Sequence, residues 1–295
     1  HMAYQMMFAI ITPALITGAF AERVKFGAYV LFMLLWTTLV YDPIAHWVWG
    51  GGLLTNVKGT WLTQTVGTGA LDFAGGTVVH ISSGVSALVF CLLIGRRRGY
   101  PAQAIMPNSL VITVLGAGIL WFGWFGFNGG SSLNSDPLAV SAFTATHIAA
   151  ASAALSWCVV EWLHRGKASI LGVATGLVAG LVCITPASGF VTPMPALIMG
   201  LIVSPVCYFF VAVIKNKFGY DDSLDAFGVH GVGGSVGALL TGVFCSPILG
   251  ATPGLAQLKA QAIAVVITIV YSAIVTLVLV IVIDKTIGLR LSEDD

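Results

Sequence analysis

Long apolar runs, each of roughly 17 to 25 residues, recur from one end of this chain to the other, and runs of that length are long enough to cross a bilayer as helices. Nine can be counted, at about 4–20, 26–50, 73–95, 107–127, 140–163, 169–187, 192–214, 226–248 and 259–284. The connectors are short and carry nearly all the charge. The pattern predicts an all-α membrane protein, a polytopic helical bundle forming one transmembrane domain over 1–295.

Charge gives the bundle a direction. If the N-terminus lies outside and the spans alternate, the inner connectors and tail hold Arg23, Lys25, Arg96, Arg97, Arg98, Arg165, Lys167, Lys215, Lys217, Lys285 and Arg290, while the outer ones hold Lys58 and Lys259. Positive charge concentrates on cytoplasmic loops. The C-terminus is therefore expected in the cytoplasm and the long connector 51–72 outside.

Composition agrees with this reading: 57% of residues are hydrophobic and 8% charged, against about 25% charged in a soluble domain. A net charge of +1 argues against a nucleic-acid partner, which needs a concentrated basic face. Five scattered cysteines in apolar stretches read as packing residues, without the spacing of metal ligands or a disulfide framework. No nucleophile–base constellation points to an enzyme, and no cofactor is implied. The 35 glycines, many inside spans, suit close helix–helix approach in lipid.

Two histidines stand out because their surroundings match. The neighbours of His80 at −4, +3, +4 and +7 are Gly76, Ser83, Gly84 and Ala87; those of His230 are Ala226, Gly233, Gly234 and Gly237. These offsets share one helix face, so each imidazole lies in a stripe of small residues. Asp72 precedes one and Asp225 the other, and by helical rise the histidines lie roughly 12 Å and 7 Å from these acids. The two spans run in opposite directions, as in an inverted-topology repeat with the substrate path at its interface. Paired neutral imidazoles at membrane depth suit a small polar molecule or a proton relay. A bare cation is poorly served there, since no carboxylate lies at that depth to balance it. It could still gather at the outer mouth, where Trp49 and the segment from Trp124 to Ser131 offer aromatic faces and a hydroxyl. His147, inside the fifth span, reads equally as a packed side chain or a functional one. The acids Asp221, Asp222 and Asp225 read as a solvated loop and helix cap.

With these residues in view the chain resembles the Amt/Mep/Rh family of ammonium transporters, and its Amt branch. The matching stretches are GAFAER at 18–23, PIAHWVWGGG at 43–52, DFAGGTVVH at 72–80, GWFGFNGGS at 123–131 and DAFGVHGVGG at 225–234. The resemblance implies an outer ammonium site of Trp49, Ser131 and Phe8, a gate of Phe8 stacked with Phe127, and pore histidines at His80 and His230. It implies for Asp72 a capping and electrostatic role, as expected of an acid at a helix N-terminus. It also implies a homotrimer in the plasma membrane, with ammonium recruited outside, deprotonated and passed through a hydrophobic pore. The family has eleven spans, so this chain is expected to begin at the third. PII-type regulatory proteins meet a long cytoplasmic tail in the family; little follows the last span here, so that partnership is not expected of this chain. An ammonium sensor using the same fold is the alternative function. A Rh-type gas channel fits less well, because Trp49 and Ser131 are both present.

Overall fold

The computed structural model describes residues 1–103 and 105–291. Eight helices in it are long and apolar enough to cross a membrane. In chain order the spanning elements are α1 (Met2–Ala19), α2 (Phe26–Trp49), α3 (Gly76–Ile94), α4 (Leu110–Ser132) and α5 (Pro137–Arg165). After the shorter α6 (Ile170–Ile184) come α7 (Pro193–Phe218), α8 (Phe227–Phe244) and α9 (Leu255–Ile287). Nine apolar helices thus stand where nine were expected. The sixth differs: it has 15 residues, about 22 Å of rise, short of the roughly 30 Å hydrocarbon layer.

The shortening has a use. The chain turns at Thr185 and Pro186, and their carbonyls accept hydrogen bonds from the Ala74 and Phe73 N–H groups at 3.2 and 3.0 Å. The turn after α6 therefore anchors the entry to α3, the helix that carries His80. Gly76 lies against the Pro186 ring, where a methyl group would come within 2.5 Å of it.

Small residues set the packing, as expected where lipid supplies no hydrophobic drive between helices. Methyl groups placed on Gly180 and Gly200 would lie 2.5 and 2.4 Å from the Ala149 carbonyl oxygen, so α5, α6 and α7 meet backbone to backbone. The last helix, α9, lies along α2, α3 and α8. At one end of the bundle the segment after α9 is tied to the loop after α1. Val24 and Arg290 form a β-bridge, Leu291 N–H donates to the Arg23 carbonyl at 2.9 Å, and Arg290 donates to the Ile94 and Arg96 carbonyls at 2.7 Å each.

Candidate functional site

Helices α3 and α8 cross where neither has a side chain. A methyl on Gly84 would lie 2.1 Å from the Gly231 nitrogen, and one on Gly234 would lie 3.0 Å from both the Gly76 oxygen and the His80 Cβ. Contacts advancing on one helix retreat on the other, so the two run antiparallel. Each carries a π-helical turn at its histidine, Gly76–Ile81 and Phe227–Gly231. The crossing brings the rings together: His80 and His230 stack at 5.2 Å between centroids, with their Nδ1 atoms 3.2 Å apart. His80 is 1% exposed. Its Nε2 has no hydrogen-bond partner among the described residues.

Two neutral imidazoles can share that contact only as opposite tautomers, one donating through Nδ1–H and the other accepting. The first then has a lone pair at Nε2 and the second an N–H there. The pair thus offers one acceptor and one donor at its free nitrogens.

A cavity of about 440 Å³ is lined by Tyr4, Phe8, Trp49, Asp72 and Ser131, among others. The expected outer residues are brought together there. Phe8 meets the Trp49 ring edge-on at 5.7 Å and the Phe127 ring at 4.5 Å. The Trp49 indole is held by its Nε1–H donating to the Asp72 carbonyl at 2.7 Å. Below Phe8, Phe127 lies 6.1 Å from the His80 ring. Beyond the histidine pair, a second cavity of about 440 Å³ reaches His230 and is lined by Arg97, Thr113, Asp225 and Val229, among others. Between them the rings of Phe8, Phe127, His80 and His230 follow one another in contact, the Phe8 and Phe127 rings tilted by 38°.

Asp72 caps α3. Its carboxylate accepts from the backbone N–H groups of Gly75, Gly76, Thr77 and Val78 and from the Thr77 hydroxyl, at 2.5 to 3.1 Å. An anion at a helix N-terminus also meets the positive end of the dipole. The counterpart on α8 is Asp222 rather than Asp225. Asp222 accepts from Ala226 N–H at 3.0 Å and Phe227 N–H at 2.8 Å, and it stands eight positions before His230, as Asp72 stands eight before His80. Asp225 instead sits at a positive φ of 59° and pairs with Lys215.

Two of the three acids after α7, Asp221 and Asp222, do not lie in a solvated loop. Asp221 and Asp222 are each 1% exposed. Burial, and then the neighbouring Asp225, pushes the Asp222 carboxyl up to about 7. Burial opposes charge on Asp221 as well, but hydrogen bonds from Arg97 and the nearby Arg23 outweigh it and hold that carboxyl below the usual range. Arg97 reaches Asp221 at 2.8 Å and Arg23 at 3.2 Å.

One neighbour of the site, Tyr4, was missed in sequence, and Trp124 and Asn128 were named only as part of a segment at the mouth. Tyr4 puts its hydroxyl 2.9 Å from the Ser131 hydroxyl and 2.6 Å from the Phe127 carbonyl oxygen; it stands one helical turn before Phe8, a spacing that could have flagged it. Trp124 stacks on His80 at 5.4 Å and donates to the Thr185 hydroxyl at 2.9 Å. Asn128 is fully buried and donates to the Thr146 hydroxyl at 2.9 Å. His147 stacks on Trp121 at 5.2 Å and is exposed, away from the histidine pair.

Comparison with known proteins bears on all of this. The family model described as Ammonium Transporter Family matches residues 1–295. The chain belongs to the ammonium transporter family. It is a multi-pass membrane protein and not an enzyme. It is 51% identical to an ammonium transporter of Aquifex aeolicus, over 99% of this chain and 67% of that protein. It is 45% identical to the ammonium transporter Amt1 of Archaeoglobus fulgidus, over 100% of this chain and 73% of that one. Among solved structures, Mep2 of Candida albicans matches with a TM-score of 0.88 at 37% identity, covering 98% of this chain and 65% of that chain. A structure titled Sensor Amt Protein matches with a TM-score of 0.90 at 31% identity, covering 98% and 73%. Some relatives are matched over less of their length, 63% in the ammonium transporter of Mycobacterium tuberculosis.

Proposed function

We propose that this chain conducts ammonium across the membrane by way of the two cavities and the histidine pair between them. The observation that carries the reading is the stack itself: an aromatic cavity, a Phe–Phe contact, two imidazoles with facing Nδ1 atoms, and a second cavity. Ammonium is recruited in the outer cavity, where the Trp49 and Phe8 rings supply cation–π attraction of about 0.5–2 kcal/mol and the Ser131 hydroxyl a lone pair. The tight Phe8–Phe127 contact excludes water, so a charged ion passing it loses hydration that the rings cannot replace. Deprotonation there, followed by passage of the neutral molecule, avoids that cost. The donor and acceptor presented by the imidazoles match ammonia, which has one lone pair and three N–H bonds. Asp72 fixes the helix that carries His80 and its carbonyl holds Trp49, so it organises the site without serving as ligand.

The N-terminus is placed outside and the C-terminus in the cytoplasm of the plasma membrane, on the distribution of arginine and lysine. Assembly as a homotrimer, each subunit with its own pore, follows the family resemblance. A second reading is an ammonium sensor, favoured by the likeness to the solved sensor Amt protein; there the same residues bind without conducting.

The test is the concentration dependence of ammonium-evoked current in proteoliposomes. Trp49→Leu should weaken half-saturation by up to about tenfold, the equivalent of some 1.4 kcal/mol of cation–π attraction. An unchanged half-saturation would remove Trp49 from the recruiting site. Ammonium binding without current would favour the sensor.

A further inference from the structure

The last helix carries a polar seam that the pore does not use. Gln257, Gln261, Thr268, Ser272 and Thr276 lie on one flank of α9, and all are buried at 4% exposure or less. The outer two are satisfied. Gln257 donates to the Gly69 carbonyl, and Gln261 to the Leu71 and Ala238 carbonyls. At the other end Thr276 donates to the Ser86 hydroxyl at 2.8 Å, and the Trp36 indole N–H donates to both at 2.9 and 3.1 Å.

Between these ends, the Thr268 and Ser272 hydroxyls have no hydrogen-bond partner among the described residues, although both side chains are 0% exposed. Serines and threonines in helices commonly donate to the carbonyl one turn back, as Thr241 and Ser235 do here; these two do not. Two hydroxyls on the seam, those of Thr268 and Ser272, therefore lack any partner among the described residues, and Ser86 accepts twice, from Trp36 and Thr276, but has no acceptor for its proton among them.

We propose that Thr268, Ser272 and Ser86 form an internal water-binding site that joins α9 to α3, the helix of His80. Leaving each hydroxyl unpaired in a dry interior would cost free energy, and a buried water typically takes two to four such partners. The spacing fits. Successive members of the seam from Thr268 to Ser272 to Thr276 are about 6 Å apart along the axis, the span of two hydrogen bonds of about 2.8 Å meeting at one oxygen. Around the seam's unsatisfied stretch apolar residues of the helix are buried too, at Ala264 and Val265 before Thr268 and at Leu279, Val280 and Ile283 after Thr276, all 7% exposed or less. It is a bound-water site and not a second conduction path.

A high-resolution map of the full chain in lipid decides the matter, supported by a double-mutant cycle on thermal unfolding with Thr268→Val and Ser272→Ala. The expected map has a peak within hydrogen-bond distance of at least two of the three hydroxyls. In the cycle each single variant lowers the unfolding midpoint, and the pair lowers it by less than the sum, because either change releases the shared water. A map with Thr268 and Ser272 turned onto the Ala264 and Thr268 carbonyls, or strictly additive losses, overturns the proposal. Both variants keep or reduce side-chain volume, so neither tests folding in place of hydration.

Discussion

A single tyrosine changes the chemistry of the outer cavity. The Tyr4 hydroxyl has one proton and three nearby acceptors, the Phe127 carbonyl, the Ser131 oxygen and, farther off, the Gly126 carbonyl. When it donates to Ser131 it occupies a lone pair that an ammonium would otherwise use. Tyr4→Phe therefore leaves Ser131 a freer acceptor, and the expected result is an apparent ammonium affinity shifted about threefold or more with maximal current little changed, read from current saturation curves. Asp222 behaves differently. Its carboxyl, pushed up to about 7 by burial, stands above the ordinary value near 4. The folded chain thus keeps a proton that the unfolded chain releases, and this contribution to stability falls as pH rises from about 4 to 7. Thermal midpoints of the parent should decline across that window relative to Asp222→Asn; parallel curves would show that Asp222 does not titrate there.

At the scale of elements, the sequence made the spans legible because lipid demands long apolar runs, and the small-residue stripes around His80 and His230 pointed to a close crossing. Two stripe residues, Gly84 and Gly234, do lie in the crossing, but Gly84 meets Gly231, which was outside the stripe. Gly84→Ala would drive a methyl group into backbone and should cost about 1–3 kcal/mol through overpacking, measurable as a lower unfolding midpoint, with loss of conduction as the imidazoles separate. An unaltered current from Gly84→Ala would mean that the histidine contact is not held by this crossing. What could not be read in advance was which acid caps α8. The choice between Asp222 and Asp225 depends on a left-handed turn at Asp225, and no hydrophobic pattern encodes that. Similarly, the 15-residue α6 looked like a full span because its apolar run continues through Ile184, Pro186 and Ala187. The backbone there turns aside to anchor Phe73 and Ala74. Asp72, by contrast, was visible as a cap from its place before a helix. Its carboxylate satisfies five donors, so Asp72→Ala should cost at least about 2 kcal/mol, and Asp72→Asn less, since one amide oxygen still accepts.

For the molecule as a whole, one cavity ends at Phe8 and another of similar size at His230, with Phe127 and His80 in contact between them, and the family is that of ammonium transporters. The proposed conduction past His80 and His230 is the step that would join these facts. The most direct test is ammonium-evoked current from the full chain in proteoliposomes, parent against His80→Ala, with potassium as the competing cation. A parent current that saturates with ammonium, and a variant that loses the current or its preference for ammonium over potassium, is the expected result. A His80→Ala protein that folds and carries the same selective current would contradict a path through the histidine pair.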